Sequence, residues 1–187
     1  MQRLNIVMQK RDYSCGAAAL ATILRHFWCD PVNEQNVLVA IGDVLTVEEI
    51  QDRVKKGMAI SDLRRAAVKM GYLSSIGTMS FEDLCGSKVP LIVPLKLNEY
   101  DHFVVYRGVC GNRVYLADPI RGNVRPTIAE FCCQWQKNAI LAVAKPGVGI
   151  PDCSPLGIRP EEVLRGDTTD EFLRKELSGR LIRPSFR

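Results

Sequence analysis

Cys15 is the residue whose type and position point most directly to covalent chemistry. It stands where an extended segment is followed by a run of strong helix formers, and Gly16 comes next, so no β-carbon obstructs approach to the sulfur. At the N-terminus of a helix, unpaired N–H groups and the helix dipole favour thiolate over thiol, and thiolate is the nucleophilic form. The alternative is a buried structural cysteine, as we expect for the other six cysteines of the chain.

A histidine must accompany such a nucleophile, and the sequence contains only two, His26 and His102. A cysteine on one element and a histidine far away in the sequence are what an acyl-transferring thiol enzyme needs. His102 opens an alternating strand pattern and is our candidate base, which takes the thiol proton and later gives one to the leaving amine. His26 lies eleven residues after Cys15 on the same predicted helix, about 16 Å away, so we assign it a structural role.

Asp118 is the candidate partner for the second nitrogen of the His102 ring. A carboxylate there fixes the tautomer and orientation of a catalytic imidazole. Asp118 follows the predicted strand 114–117, which a tight turn joins to the His102 strand, so the folded hairpin brings the two residues near each other. The alternative for Asp118-Pro119 is an ordinary turn that ends a strand.

Gln9 is the candidate oxyanion donor. Acyl transfer passes through a tetrahedral oxyanion, which a backbone N–H at the nucleophile and a side-chain amide can stabilise together. Gln9 precedes Cys15 by six residues, close enough for the chain to loop back. A single glutamine is by default a surface residue; the specific signal is the chain order Gln9, Cys15, His102, Asp118.

The elements that must position these residues are helices first and strands second. Ser14 is the expected N-cap of the first helix, and Gly42, Gly57 and Gly71 are the expected stops of the next three. Short helices are predicted from Ser80 and from Thr127. The predicted helices span 15–28, 33–41, 46–57 and 61–70, and the predicted strands span 72–76, 91–97, 102–109, 114–117, 124–128 and 140–144. This order predicts an α+β fold with an antiparallel sheet.

A change in composition after Lys145 predicts the end of the domain. Residues 1–146 form the predicted domain, and residues 147–187 form a Pro- and Gly-rich linker with a short amphipathic helix over 168–181. We expect this extension to dock on another surface, such as a second copy of the chain, which would make the protein a homodimer.

Composition excludes several classes of protein and site. The chain is 47% hydrophobic and 25% charged, which is typical of a soluble globular protein. The net charge of +4 is not gathered into a basic run, so we expect no nucleic-acid partner, and no apolar stretch reaches the length of a membrane span. The seven cysteines form no CxxC or CxxxH spacing, so we expect no metal, and Cys15 has no resolving cysteine for a redox role.

Three blocks of sequence, 9–20, 101–105 and 116–119, resemble those of the bacteriocin-processing, or double-glycine, cysteine peptidases of family 39. The resemblance covers residues 4–145 and implies a papain-like fold, with N-terminal helices packed on a C-terminal antiparallel sheet. It implies Cys15 as nucleophile, His102 as base, Asp118 as its orienting partner and Gln9 as oxyanion donor. It implies no metal or cofactor, and cleavage of leader peptides after a Gly-Gly pair.

Two departures indicate the stand-alone branch of that family. Members fused to peptide exporters often carry an acidic residue and a second cysteine where this chain has Ser14 and Ala19, and the chain ends without transmembrane helices or a nucleotide-binding domain. This branch includes envelope proteins and a peptidase of a functional-amyloid export system. The resemblance therefore implies a periplasmic protein whose signal segment is absent from this chain, with cytoplasmic location as the alternative. The implied partners are an exported amyloid or leader peptide and a secretion apparatus.

The sequence leaves two functions in competition. One is a cysteine endopeptidase; the other is a recognition module of the same fold that holds a substrate for a secretion machine without cutting it. Relatives of the second kind lose the cysteine or the histidine, and this chain keeps both Cys15 and His102, which favours the enzyme. By size alone, Trp28, Tyr100 and Trp135 are candidate walls of a substrate groove.

Overall fold

Four helices form the N-terminal half of the computed structural model, which describes residues 3–97 and 100–163. They are α1 (Cys15–His26), α2 (Glu34–Val44), α3 (Val47–Lys56) and α4 (Ile60–Lys69). The alanine-rich α1 is buried from Cys15 through Leu24, because small side chains let neighbouring elements approach on every side. A capping box between Thr46 and Glu49 begins α3, and Gly57, at φ +84°, ends it.

A six-stranded sheet forms the C-terminal half, and its strand pairs are antiparallel. The strands are β1 (Leu73–Thr78), β2 (Leu91–Leu97), β3 (Tyr100–Cys110), β4 (Arg113–Asp118), β5 (Gly122–Val124) and β6 (Ala139–Ala144), in the spatial order β1-β6-β2-β3-β4-β5. Two short helices, α5 (Phe81–Cys85) and α6 (Ile128–Gln134), interrupt the strand order, and a 3₁₀ turn covers Gln136–Asn138. The predicted α+β class is confirmed.

The sheet separates two apolar clusters, and β3 contributes to both. Phe103 and Val105 pack with α1, α2 and α4, whereas Val104 and Tyr106 pack with α5 and α6. This alternation follows from the two-residue period of a strand. It places the N-terminal end of α1 against the beginning of β3, where His102 lies.

Two predicted element ends are wrong by three or more residues, and one predicted capping contact is absent. Gly42 does not stop α2, which runs on to Val44; an exposed glycine within a helix costs about 1 kcal/mol relative to alanine, which packing of the apolar face outweighs. The strand predicted over 124–128 ends at Val124, because Pro126 lacks an N–H and Thr127 caps α6. Ser14 is the N-cap residue of α1, as predicted, but its side chain makes no capping hydrogen bond to that helix.

The prediction that cysteines other than Cys15 are core residues is also wrong. Cys15 is buried and Cys110 half-buried, but the remaining five, Cys29, Cys85, Cys132, Cys133 and Cys153, are exposed, and all seven are free thiols. Apolar neighbours in the sequence do not decide which face of an element a residue occupies. Burial therefore singles out Cys15 among the thiols.

The segment after Lys145 stays with the compact unit, which extends to Gly157. Leu156 is buried in the α1 cluster, and the Arg107 guanidinium donates a 2.8 Å hydrogen bond from Nε to its carbonyl oxygen. A second unit begins at Ile158, and in its described part Arg159 pairs with Glu162. The boundary near residue 146 stays a prediction. The helix predicted over 168–181, and the dimerisation expected through the extension, lie outside the described residues.

No helix within residues 3–97 and 100–163 is both long and apolar enough to cross a membrane.

Candidate active site

Cys15 is the first residue of α1, and only 7% of it is exposed. The first intrahelical hydrogen bond runs from the N–H of Ala18 to the carbonyl of Ser14, at 3.0 Å, so the Cys15 N–H precedes the bonded turns and has no acceptor within the helix. Gly16 serves close packing: a β-carbon there would lie 2.9 Å from the Leu63 side chain and 3.2 Å from that of Phe103. This glycine lets α1 approach β3.

His102 lies on β3 and is 1% exposed. Its Nε2 lies 2.9 Å from Oδ1 of Asp118, and an N–H at that nitrogen donates to the carboxylate. Cys15 is the other group that raises the pKa of the ring, through hydrogen bonding and charge. Because Nε2 faces Asp118, Nδ1 is the nitrogen left for the sulfur.

The hydrogen-bonding and charged partners of His102 reverse the effect of burial on the pKa of its ring. Burial is the largest influence and lowers the pKa of the ring, but hydrogen bonds and charge from Asp118 and Cys15 together outweigh it and raise the pKa from 6.5 to about 9. The imidazole is therefore positively charged at neutral pH.

Asp118 ends β4 and is fully buried. Its Oδ1 also accepts from the N–H groups of Ile120, at 2.8 Å, and Arg121, at 3.1 Å, and its Oδ2 accepts from Arg121 Nε at 2.6 Å. Burial raises the pKa of Asp118, but His102, Arg121 and the Ile120 N–H more than offset it and hold the pKa well below its usual range. The carboxylate is thus ionised and fixed in orientation.

Gln9 reaches the same region through its backbone. Its N–H donates to the carbonyl of Pro119 at 2.9 Å, which places it beside the turn that follows Asp118. Its side-chain Nε2 donates to the Arg11 carbonyl at 2.9 Å. A primary amide carries two N–H bonds, so one donor remains beyond this contact.

Two residues that contact the site were not predicted from the sequence. Arg121 could have been found, because an Asp-Pro-x-Arg turn after a strand returns the arginine towards the aspartate. Glu34, whose carboxylate binds the segment before Cys15, carries no local signal, because it lies twenty residues after Ser14 and on another helix.

A groove of about 670 Å³ opens beside Cys15. Tyr100, which is half exposed, lies on its wall, whereas the other two candidate wall residues, Trp28 and Trp135, are buried. Tyr13, Val54 and Met58 also line a second, mostly apolar groove of about 230 Å³ between α2 and α3.

His26 is not brought to this groove. It lines a separate cavity of about 580 Å³ together with Arg25. Burial and then the charge of Arg25 lower its pKa below 6.5. Among the residues that the structure describes, no group of three or more His, Cys, Asp and Glu side chains could hold a metal ion.

Comparison with known proteins gives a family match and named relatives. The model of the peptidase C39 family matches residues 3–147. The probable functional amyloid protease FapD of Pseudomonas aeruginosa is 33% identical over 168 residues, which are 90% of this chain and 72% of that protein. FapD of Pseudomonas fluorescens is 36% identical over 133 residues, so this chain spans just over half, 57%, of that relative's length.

A solved structure shares the fold. The crystal structure of a double glycine motif protease from an AMS/PCAT transporter, in complex with the leader peptide, superposes with a TM-score of 0.62 at 25% identity. The superposition covers 77% of this chain and 93% of the protease.

Proposed function

Because the chain belongs to the peptidase C39 family and is a cysteine peptidase, we propose that Cys15, His102 and Asp118 form its catalytic triad and that Gln9 stabilises the oxyanion. The observation that carries this proposal is the shared position of His102: one ring nitrogen lies 2.9 Å from the Asp118 carboxylate, and the ring also interacts with Cys15. A nucleophile, a base and a group that orients the base are the parts that acyl transfer requires.

The reaction follows from these positions. The Cys15 thiolate attacks the carbonyl carbon of a peptide bond, and the resulting oxyanion receives the N–H of Cys15 and an N–H of the Gln9 amide. The His102 imidazolium donates its proton to the departing amine, which breaks the C–N bond and leaves an acyl-enzyme. The neutral imidazole then takes a proton from water, which attacks the thioester and releases the carboxylic acid and the thiolate.

The substrate that we propose is a polypeptide exported by a secretion system. The groove beside Cys15 offers aromatic and lysine side chains, Tyr100, Phe103 and Lys55 among them, along which an extended peptide can lie. The FapD relatives are named as functional amyloid proteases, and the neighbouring solved structure holds a leader peptide. A functional-amyloid protein or its leader is the candidate, and the periplasm is the candidate compartment.

Cleavage of a peptide library, located by mass, tests the proposal. We expect the wild-type protein to cut a subset of peptides, and Cys15→Ser and His102→Ala to cut none of them. Cys29→Ser is the matched control, because Cys29 is an exposed thiol outside the groove. Binding of peptides without any cleavage by the wild type would favour the recognition module instead.

A further inference from the structure

Glu34, the first residue of α2, has a buried carboxylate that the mechanism above does not use. Only 5% of the residue is exposed, and no described lysine, arginine or histidine forms an ion pair with it. Burial of an unpaired carboxylate is costly unless hydrogen bonds satisfy its oxygens. Its hydrogen-bond partners therefore indicate what it does.

Both partners of Glu34 lie in the segment before the nucleophile. Its Oε1 accepts from the N–H of Lys10 at 2.9 Å and from the hydroxyl of Ser14. The Arg11 carbonyl, 2.8 Å from that hydroxyl, competes for its single proton, but a carboxylate oxygen is a stronger acceptor than a peptide carbonyl. One oxygen of Glu34 thus connects the two ends of residues 10–14.

Those two ends are next to the proposed catalytic groups. Gln9 precedes Lys10, and Cys15 follows Ser14, so the backbone positions that Glu34 holds are adjacent to the oxyanion donor and to the nucleophile. We propose that Glu34 is a positioning residue, which fixes Cys15 against His102 by holding this segment; the inference rests on the function proposed above. Misplacement of a reacting group by about 1 Å can cost a hundredfold in rate.

A purely structural role makes a different prediction. A glutamate in the first turn stabilises its own helix through the helix dipole, as Glu82 does in α5. The N-terminus of α2 is already stabilised without Glu34, because Asn33 and Asn36 form its capping box. If the role of Glu34 were only structural, its removal would lower the melting temperature and leave the reactivity of Cys15 unchanged.

The test is the rate at which iodoacetamide alkylates each cysteine at neutral pH, mapped by mass. We expect Glu34→Ala to slow alkylation of Cys15 by about tenfold and to leave the other thiols unchanged. Glu34→Gln should stay within about threefold of the wild type, because an amide oxygen can accept both hydrogen bonds. Glu82→Ala is the matched control and should not alter the rate at Cys15.

Ser14→Ala gives a second, independent readout and covers the case in which Glu34→Ala does not fold. Ser14→Ala should slow alkylation of Cys15 by about threefold. In the Glu34→Ala background it should have almost no further effect, because both changes break the same hydrogen bond between Ser14 and Glu34. A wild-type rate at Cys15 in a folded Glu34→Ala protein, or in Ser14→Ala, would overturn the inference alone. A wild-type protein whose Cys15 reacts no faster than its other thiols would overturn the proposed function as well.

Discussion

A histidine lies at or near each end of α1, and the surroundings of the two rings differ. At the N-terminal end His102 is buried beside the Asp118 carboxylate, and that carboxylate and Cys15 raise its pKa to about 9. At the C-terminal end His26 forms no ion pair with a described carboxylate, and burial, followed by the charge of Arg25, lowers its pKa. Burial acts in the same direction at both ends, so the partners decide which ring is charged at neutral pH.

The largest expected effect is on catalysis at the N-terminal end. His102→Ala should reduce cleavage of a peptide identified from the library by at least about a thousandfold, because it removes the proposed acid and base of both steps. His26→Ala should change the rate less than about twofold. The measurement is kcat/KM for both variants. Equal losses would contradict the prediction that only His102 takes part in catalysis.

Asp118→Asn should bring His102 closer to the behaviour of His26. It removes the negative charge that raises the pKa of the ring, so that pKa should fall, and kcat should decrease about a hundredfold. An NMR titration of the His102 ring, beside steady-state kinetics, checks both effects. An unchanged titration midpoint would show that Asp118 does not govern the charge of the ring.

The pH dependence of stability should have opposite signs at the two ends. The pKa of His102 is higher in the folded state, so its contribution is full below pH 6.5 and is lost as the pH rises towards 9. The loss amounts to at most about 3 kcal/mol. The pKa of His26 is lower in the folded state, so its contribution is present above pH 6.5 and is lost as the pH falls.

Urea unfolding of the wild type and of two glutamine variants measures these slopes. His102→Gln should flatten the decline in unfolding free energy between pH 6.5 and 9, and His26→Gln should flatten the decline below pH 6.5. Identical slopes in all three proteins would contradict the assignment of the two pKa shifts.

The smallest expected effects come from the arginines. Arg25 lowers the pKa of His26, so Arg25→Ala should raise that pKa slightly and leave His102 unchanged. Arg121 holds Asp118 from a half-exposed position, where solvent screens its charge, so Arg121→Ala should lower kcat only severalfold. Both are read by NMR titration and kinetics; an effect of Arg25→Ala at His102 would mean that the two ends are coupled.

The sequence predicted the family and the fold class because both depend on local patterns. The blocks around Cys15, His102 and Asp118 are contiguous, and the match over residues 3–147 confirms the family that they resemble. The hairpin of β3 and β4 pairs Val105 with Ala117, so Asp118 had to fall near His102. The catalytic roles of these residues stay predictions.

The predictions that were wrong or missing concern features that depend on tertiary contacts. The exposure of Cys132 and Cys133 is set by which face of a two-turn helix meets the sheet, and an apolar stretch of that length has no clear period. Gly42 stays inside α2 because packing of that helix outweighs a local stop signal. Glu34, on α2, contacts Ser14, which precedes α1 and lies twenty residues earlier, and no spacing rule predicts such a contact.

The NMR titration midpoint of the His102 ring, in the wild type and in Cys15→Ser, tests the proposed Cys–His pair most directly. We expect a midpoint near 9 in the wild type, and a lower one once the sulfur is replaced. A midpoint at the ordinary 6.5, the same in both proteins, would contradict it.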